Sequence, residues 1–128
     1  MLIPVGLDLY AVAATAIRAV VAVPGLCPLP TGPSTVLGVF NLRGEIVPLL
    51  DTAALLGTGR LSEPPFAAVV QTTMGLAALA ASGLPESVVL DESVGGSETP
   101  GTLGVYSIGG RLAALVDVEE LLTPARIS

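Results

Sequence analysis

Eleven carboxylates, five basic residues, one cysteine and no histidine are the side chains with which this 128-residue chain could do chemistry. Without histidine the commonest general base near neutral pH is missing, and with it the usual Ser and Cys triads and most zinc sites. Catalytic groups must also gather in a cleft, and the sequence positions of these acids point elsewhere. Asp51 and Asp117 each precede a short helix-forming run, the place of an N-cap whose carboxylate accepts from backbone N–H groups. Glu119 and Glu120 then fall in the first turn of the second helix, where the dipole favours acids. Asp91, Glu92 and Glu98 form the one grouping that could hold a metal ion, but they lie in DESVGGSETPG (91–101), whose composition is that of a solvated loop. Cys27, in Gly-Leu-Cys-Pro-Leu-Pro, needs a neighbouring base or cation to form a thiolate. Arg18 is the nearest in sequence, so a buried or incidental thiol is expected. Gly95-Gly96 lacks the strand–loop–helix setting and the following Lys of a phosphate loop. No catalytic residue, cofactor or metal ligand is assigned, and the chain reads as a non-enzyme.

Charge excludes further classes. The net charge is −6. Nucleic-acid binding needs clustered Lys or Arg to displace counterions, together with stacking aromatics in the single-stranded case. The basic residues are scattered and aromatics make up 3% of the chain. Mean hydropathy is high, +0.82, yet a spanning helix needs ~20 apolar residues. The apolar stretch 11–23 is shorter, contains Thr15 and Arg18, and stops at Pro24-Gly25; the stretch 67–81 is broken at 71–73 and 75. No basic residue precedes the first apolar run, which argues against a signal peptide. A cytoplasmic protein without membrane insertion is expected. One cysteine precludes an internal disulfide. Hydrophobic residues make up 52% and charged residues 12%, so disorder is excluded. The low charge reflects a bias toward Ala, Gly and Pro, a surface meant to be covered by partners, or both.

Gly and Pro punctuate short apolar runs every 8 to 12 residues or so, a spacing that suggests a β barrel or sandwich. Strands are expected at 1–5, 7–12 and 16–23, then an extended loop over 24–33. Strands at 36–42 and 45–50 meet across Arg43-Gly44, with Pro48 marking an edge or a bulge. Asp51, the run 52–56 and Gly57 make a capped short helix. A linker at 58–65, a hairpin of 66–71 with 76–81, a strand at 84–90 bent at Pro85, and the acidic loop 91–101 follow.

Shifting the sequence by 66 residues aligns 37–57 (LGVFNLRGEIVPLLDTAALLG) with 103–123 (LGVYSIGGRLAALVDVEELLT). Eight of the 21 positions are identical, among them Gly44 with Gly110, Asp51 with Asp117, and Leu55-Leu56 with Leu121-Leu122. Periodicity of this kind marks two copies of one structural unit. The expectation is one mainly β, pseudo-duplicated domain over 1–128: two small barrels packed together, each closed by a short helix after Asp51 or Asp117. Gly38 and Gly44 recur in the second copy. Arg43 and Asn41 become Gly109 and Ser107, and a one-sided Arg is better explained by function or local pairing than by the fold.

The string Gly38-Val39-Phe40-Asn41-Leu42-Arg43-Gly44-Glu45-Ile46-Val47-Pro48-Leu49-Leu50-Asp51 resembles the signature of the CheW-like family, the chemotaxis coupling proteins. Tyr10-Ala11-Val12, then Ala16 to Val21, and Pro28-Leu29-Pro30 are similar to that family's second and third strands and its proline-rich loop. The resemblance implies two five-stranded SH3-like β-barrel subdomains around a third apolar core. It also implies a non-catalytic scaffold that joins the cytoplasmic tips of chemoreceptors to the regulatory domain of a chemotaxis histidine kinase. Carried over by position, Gly38, Asn41, Arg43 and Gly44 fall on the signature turn, and Ile17 on the strand beside the kinase-facing surface; these five are the expected partner-binding residues. The family often has Glu where this chain has Ala19, an acid able to pair with the signature Arg. Here Arg43 is left to pair with Glu45 or Asp51, or to meet a partner. The alternative is a small-ligand or metal-responsive sensor domain with its pocket between the two barrels.

Overall fold

Short apolar runs interrupted by glycine-containing turns cannot build long helices, and this chain spends them on strands. The computed structural model describes residues 1–29, 31–90, 92–97 and 99–127; Pro30, Asp91 and Glu98, expected in loops, and Ser128 lie outside the described residues. The order is β1 (Leu2–Val5), β2 (Asp8–Ala11), a 3-10 turn (Ala14–Ala16), β3 (Ile17–Ala22), β4 (Val36–Leu42), β5 (Glu45–Leu50), α1 (Thr52–Leu56), β6 (Phe66–Thr72), β7 (Gly75–Ala81), β8 (Glu92–Gly95), β9 (Thr102–Ile108), β10 (Arg111–Val116), α2 (Val118–Leu121) and α3 (Pro124–Ile127).

Two five-stranded sheets result. The first unit orders its strands β3-β6-β7-β5-β4 and the second β1-β2-β10-β9-β8. In the first, β3 pairs with β6 at one end of the sheet, and a few residues later Cys27 bridges Val39 on β4 at the other. In the second, Glu86 bridges Leu2 on β1, and β8 then pairs with β9. The same run of chain thus touches both ends of each sheet, the curl of an SH3-like barrel.

The segments 37–57 and 103–123 fold alike down to single hydrogen bonds. The β4–β5 register skips at Leu37, and the β9–β10 register skips at Leu103. Asp51 N–H donates to Thr35 O (2.7 Å) and Asp117 N–H to Gly101 O (2.8 Å). Asp51 Oδ1 accepts from Ala54 N–H (3.1 Å), and Asp117 Oδ1 from Glu120 N–H (3.2 Å). Both aspartates therefore cap helices, as expected, and Gly57 ends α1 in the left-handed conformation at φ 74°. The likeness reaches further. β5 runs parallel to β7 through Leu49–Ala78, and β10 runs parallel to β2 through Leu115–Ala11. The N-terminal hairpin β1–β2 therefore takes, in the second unit, the place that β6–β7 takes in the first.

That exchange builds the main core. Ile3, Val5, Tyr10 and Val12 of the second unit pack with Leu50, Val70 and Leu79 of the first; α1 adds Leu55 and Leu56, and α2 with the residue that ends it adds Leu121 and Leu122. A separate cluster of Phe40, Val47, Leu49, Ala67, Val69, Ala78 and Ala80 fills the first barrel. Glu119 ties the units across the surface: its carboxylate accepts from Thr73 N–H (3.0 Å) and Thr73 Oγ1 (2.9 Å). Arg126 on α3 donates through Nη2 to Leu55 O and Pro100 O (3.2 Å each), and Thr35 Oγ1 donates to Ile127 O.

Several expectations are corrected. The run 84–90 is not a strand; it touches the sheet only at Glu86. The adjacent strand is β8, within the stretch expected to be a loop, because backbone pairing to β9 overrides its polar composition. Leu7 belongs to the β1–β2 turn rather than to β2 and is fully exposed. Pro48 sits on an interior strand. It is tolerated because pairing with β7 begins only at Leu49, so its missing N–H breaks no bond there. α3 was not expected. Asp51 is more than a cap: it is fully buried, and both carboxylate oxygens also accept from Leu61 N–H (3.3 and 3.2 Å), pinning the 58–65 linker.

Losing a cap costs about 0.5–2 kcal/mol, and stranding a further partly buried N–H adds about 1–3 kcal/mol. Asp51→Ala is expected to lower urea-unfolding stability by about 2–4 kcal/mol and Asp117→Ala by about 1 kcal/mol. Equal losses would remove the linker-pinning role of Asp51.

Candidate partner-binding surface

The β4–β5 turn brings together three of the five expected residues. Antiparallel strands with right-handed twist favour tight turns whose two central residues both have positive φ. Here those residues are Arg43 (φ 51°) and Gly44 (φ 90°). Asn41 Oδ1 accepts from Gly44 N–H (3.0 Å) and holds the turn closed. The second copy has Gly109 (φ 55°) and Gly110 (φ 81°) at the matching places. A non-glycine side chain in this region costs about 1–2 kcal/mol, so Arg43 occupies a position where the fold alone favours glycine. Its side chain is exposed. Among the described residues no carboxylate lies within ion-pair reach of it. Of the two partners considered from sequence, Asp51 is buried and committed to Ala54 and Leu61, and Glu45 is exposed without pairing.

The remaining two residues sit elsewhere. Gly38 is buried, and a Cβ there would lie 3.0 Å from Leu26 Cβ and 3.1 Å from Cys27 O. Glycine is required so that the 26–27 segment can cross β4, and the position offers no side chain to a partner. Gly104 has the same relation to Gly95 O, at 3.3 Å. Ile17 opens β3, half-buried against the shared core. Ala19, where an acid was considered as an Arg43 partner, packs against the cluster inside the first barrel.

Two exposed apolar residues extend the turn surface and were not singled out from sequence. Ile46 is 65% exposed and Met74 is 74% exposed. They lie toward the same end of the parallel strands β5 and β7. The second unit presents Leu112 (63%) and Leu7 (104%) at the matching places. A signal existed: Ile46 and Leu112 align at the 66-residue shift, each following its turn at the same distance.

Electrostatics give no sign of a reaction centre. Tyr10 spans the units; burial first, and the Asp8 carboxylate second, push its phenol up, while a hydrogen bond with Thr58 opposes them. Burial lowers the Met1 amino group, which donates to Val12 O (2.7 Å). Cys27 is exposed rather than buried, and its thiol faces only its own segment. Among the described residues no three His, Cys, Asp or Glu side chains gather as a metal site. Among the described residues no helix is long and apolar enough to cross a membrane.

A curated relative, the chemotaxis protein CheW of Rhizobium meliloti (strain 1021), is 32% identical over a 109-residue alignment that spans 73% of this chain and 67% of that protein. Among solved structures, the scaffolding protein TtCheW from Thermoanaerobacter tengcongensis superposes with a TM-score of 0.83, covering 99% of this chain and 94% of its own at 20% identity, which makes it a likeness of fold. The family model described as the CheW-like domain matches residues 1–126. With two interlocked five-stranded units, the turn at Asn41–Gly44 and that match along nearly its whole length, this chain belongs to the CheW-like family.

Proposed function

We propose that this chain is a non-catalytic adaptor of a bacterial chemosensory system that works in the cytoplasm. It couples methyl-accepting chemoreceptors to a chemotaxis histidine kinase by binding the kinase's regulatory domain and the receptor's helical tip. Family membership and the names of the relatives, a chemotaxis protein and a scaffolding protein, support the adaptor role. The observation that carries the choice of surface is Arg43. It is exposed, unpaired among the described residues, and held at φ 51° where the second copy has glycine. A residue kept against the backbone's preference marks a position where function outweighs stability. Ile46 and Met74 beside it supply the apolar contact that a protein interface needs around a cation. The sensor alternative finds no such support. The space between the units is filled by the shared core, and three cavities among the described residues are each lined by one unit alone.

Arg43→Gly is expected to keep or raise stability, by up to about 1 kcal/mol, because it relieves the left-handed strain. A clear loss of stability in urea unfolding would show that the side chain holds the fold instead. Arg43→Glu, with native-like circular dichroism, is expected to weaken binding to the kinase regulatory domain at least about tenfold, a change of ~1.4 kcal/mol. Unchanged affinity in calorimetric titration would remove Arg43 from the interface.

A further inference from the structure

The two barrels are filled differently. Inside the first, Phe40, Val47 and Leu49 are buried in a cluster of their own. At the matching positions the second has Tyr106 and Leu115, both only half-buried, and the smaller Ala113. Its inward-facing buried apolar residues, Leu2, Ala11 and Ala113, belong to neither core cluster. A cavity of about 170 Å³ opens there, lined by Leu2, Pro4, Leu9, Leu84, Glu86 and Arg111. Leu84 is 59% exposed at its wall.

The charges in this cavity are placed by the backbone. Glu86 is held by two backbone bonds to Leu2, at 2.7 and 2.9 Å, and Arg111 opens β10 directly after the Gly109-Gly110 turn. They carry opposite charge and line one space, yet no ion pair joins them, and among the described residues neither side chain has another partner. In the first unit the strand register puts Ala19 and Glu45 at the matching places, so this arrangement is peculiar to the second.

We propose that this cavity of the second unit is a binding site for a small zwitterion with an aliphatic side chain, of the free α-amino acid class. The carboxylate meets the Arg111 guanidinium, whose fork suits a carboxylate. The ammonium group meets Glu86, and the aliphatic chain lies on Leu2, Pro4 and Leu9 and covers Leu84. Opposite charges that line one cavity without pairing with each other favour a ligand that carries both signs over a ligand that carries one. The volume suits such a molecule and is below the roughly 300–1,000 Å³ of drug-sized sites. The site is half-open to water, which screens its charges and makes binding weak, with Kd on the order of 1 mM.

The test titrates isotope-labelled protein with L-leucine, isovalerate and isoamylamine, followed by amide chemical shifts. Saturable shifts at Leu2, Leu9, Glu86 and Arg111 with leucine, at least about fivefold weaker binding of both single-charge analogues, and similar weakening in Arg111→Gln and Glu86→Gln support the site. Both substitutions are at exposed side chains, and unchanged spectra elsewhere verify their folding. The proposal is overturned by no saturable shift up to about 20 mM leucine, by analogues that bind as well as leucine, by variants that bind it normally, or by shifts centred away from the cavity.

Discussion

Everything in this molecule rests on a core that neither barrel owns. The N-terminal hairpin belongs to the second unit, but the chain then builds the whole first unit before returning to complete the second. Ile3, Val5, Tyr10 and Val12 can be buried only when Leu50, Val70, Leu79, Val116 and Leu121 are in place around them. A small barrel of some 60 residues is marginal alone, because it buries too small a share of its surface. Here the outer faces of two such barrels are buried against each other, and their helices close the seam. Cooperation between the halves is a consequence of the connectivity rather than of any single strong contact.

The polar ties across the seam serve position more than energy. Glu119 grips the Thr73 turn with two bonds, and Arg126 reaches carbonyls on α1 and on the 100–101 turn. Gly101 leaves the space for this, since a Cβ there would stand 2.8 Å from Leu121 Cδ1. Surface bonds of this kind each contribute little to stability. Their value is to fix how one unit sits on the other, which an adaptor that joins two partners needs to keep constant.

Against that shared plan, differences between the copies become informative. Where the copies agree, as at the register skips, the capping aspartates and the crossing glycines Gly38 and Gly104, one backbone requirement explains both. Where they differ, the fold has allowed a choice. Arg43 replaces a glycine that the turn prefers, Asp51 takes on a linker that Asp117 does not, and Glu86 and Arg111 line a cavity of the second unit where the first has Ala19 and Glu45.

Much of this was legible in the one-dimensional pattern. Gly in turns, Asp before short helical runs and the 66-residue shift are local rules, and local rules were sufficient for the β class, the two capped helices and the hairpin at Arg43-Gly44. Other features are decided by residues far apart in sequence. No local signal says that residues 92–95 find a strand to pair with while 84–90 do not, since that depends on where β9 and β1 lie. None says that Gly38 is buried under Leu26 and Cys27, or that Asp51 has Leu61 as a second partner. Composition and spacing determined the β class, the repeated hairpins and their capped helices, and the turn on which Arg43 is presented. Tertiary packing alone decided which hairpin completes which barrel, because strand pairing and burial are satisfied by neighbours in space, whose identity only the closed fold supplies.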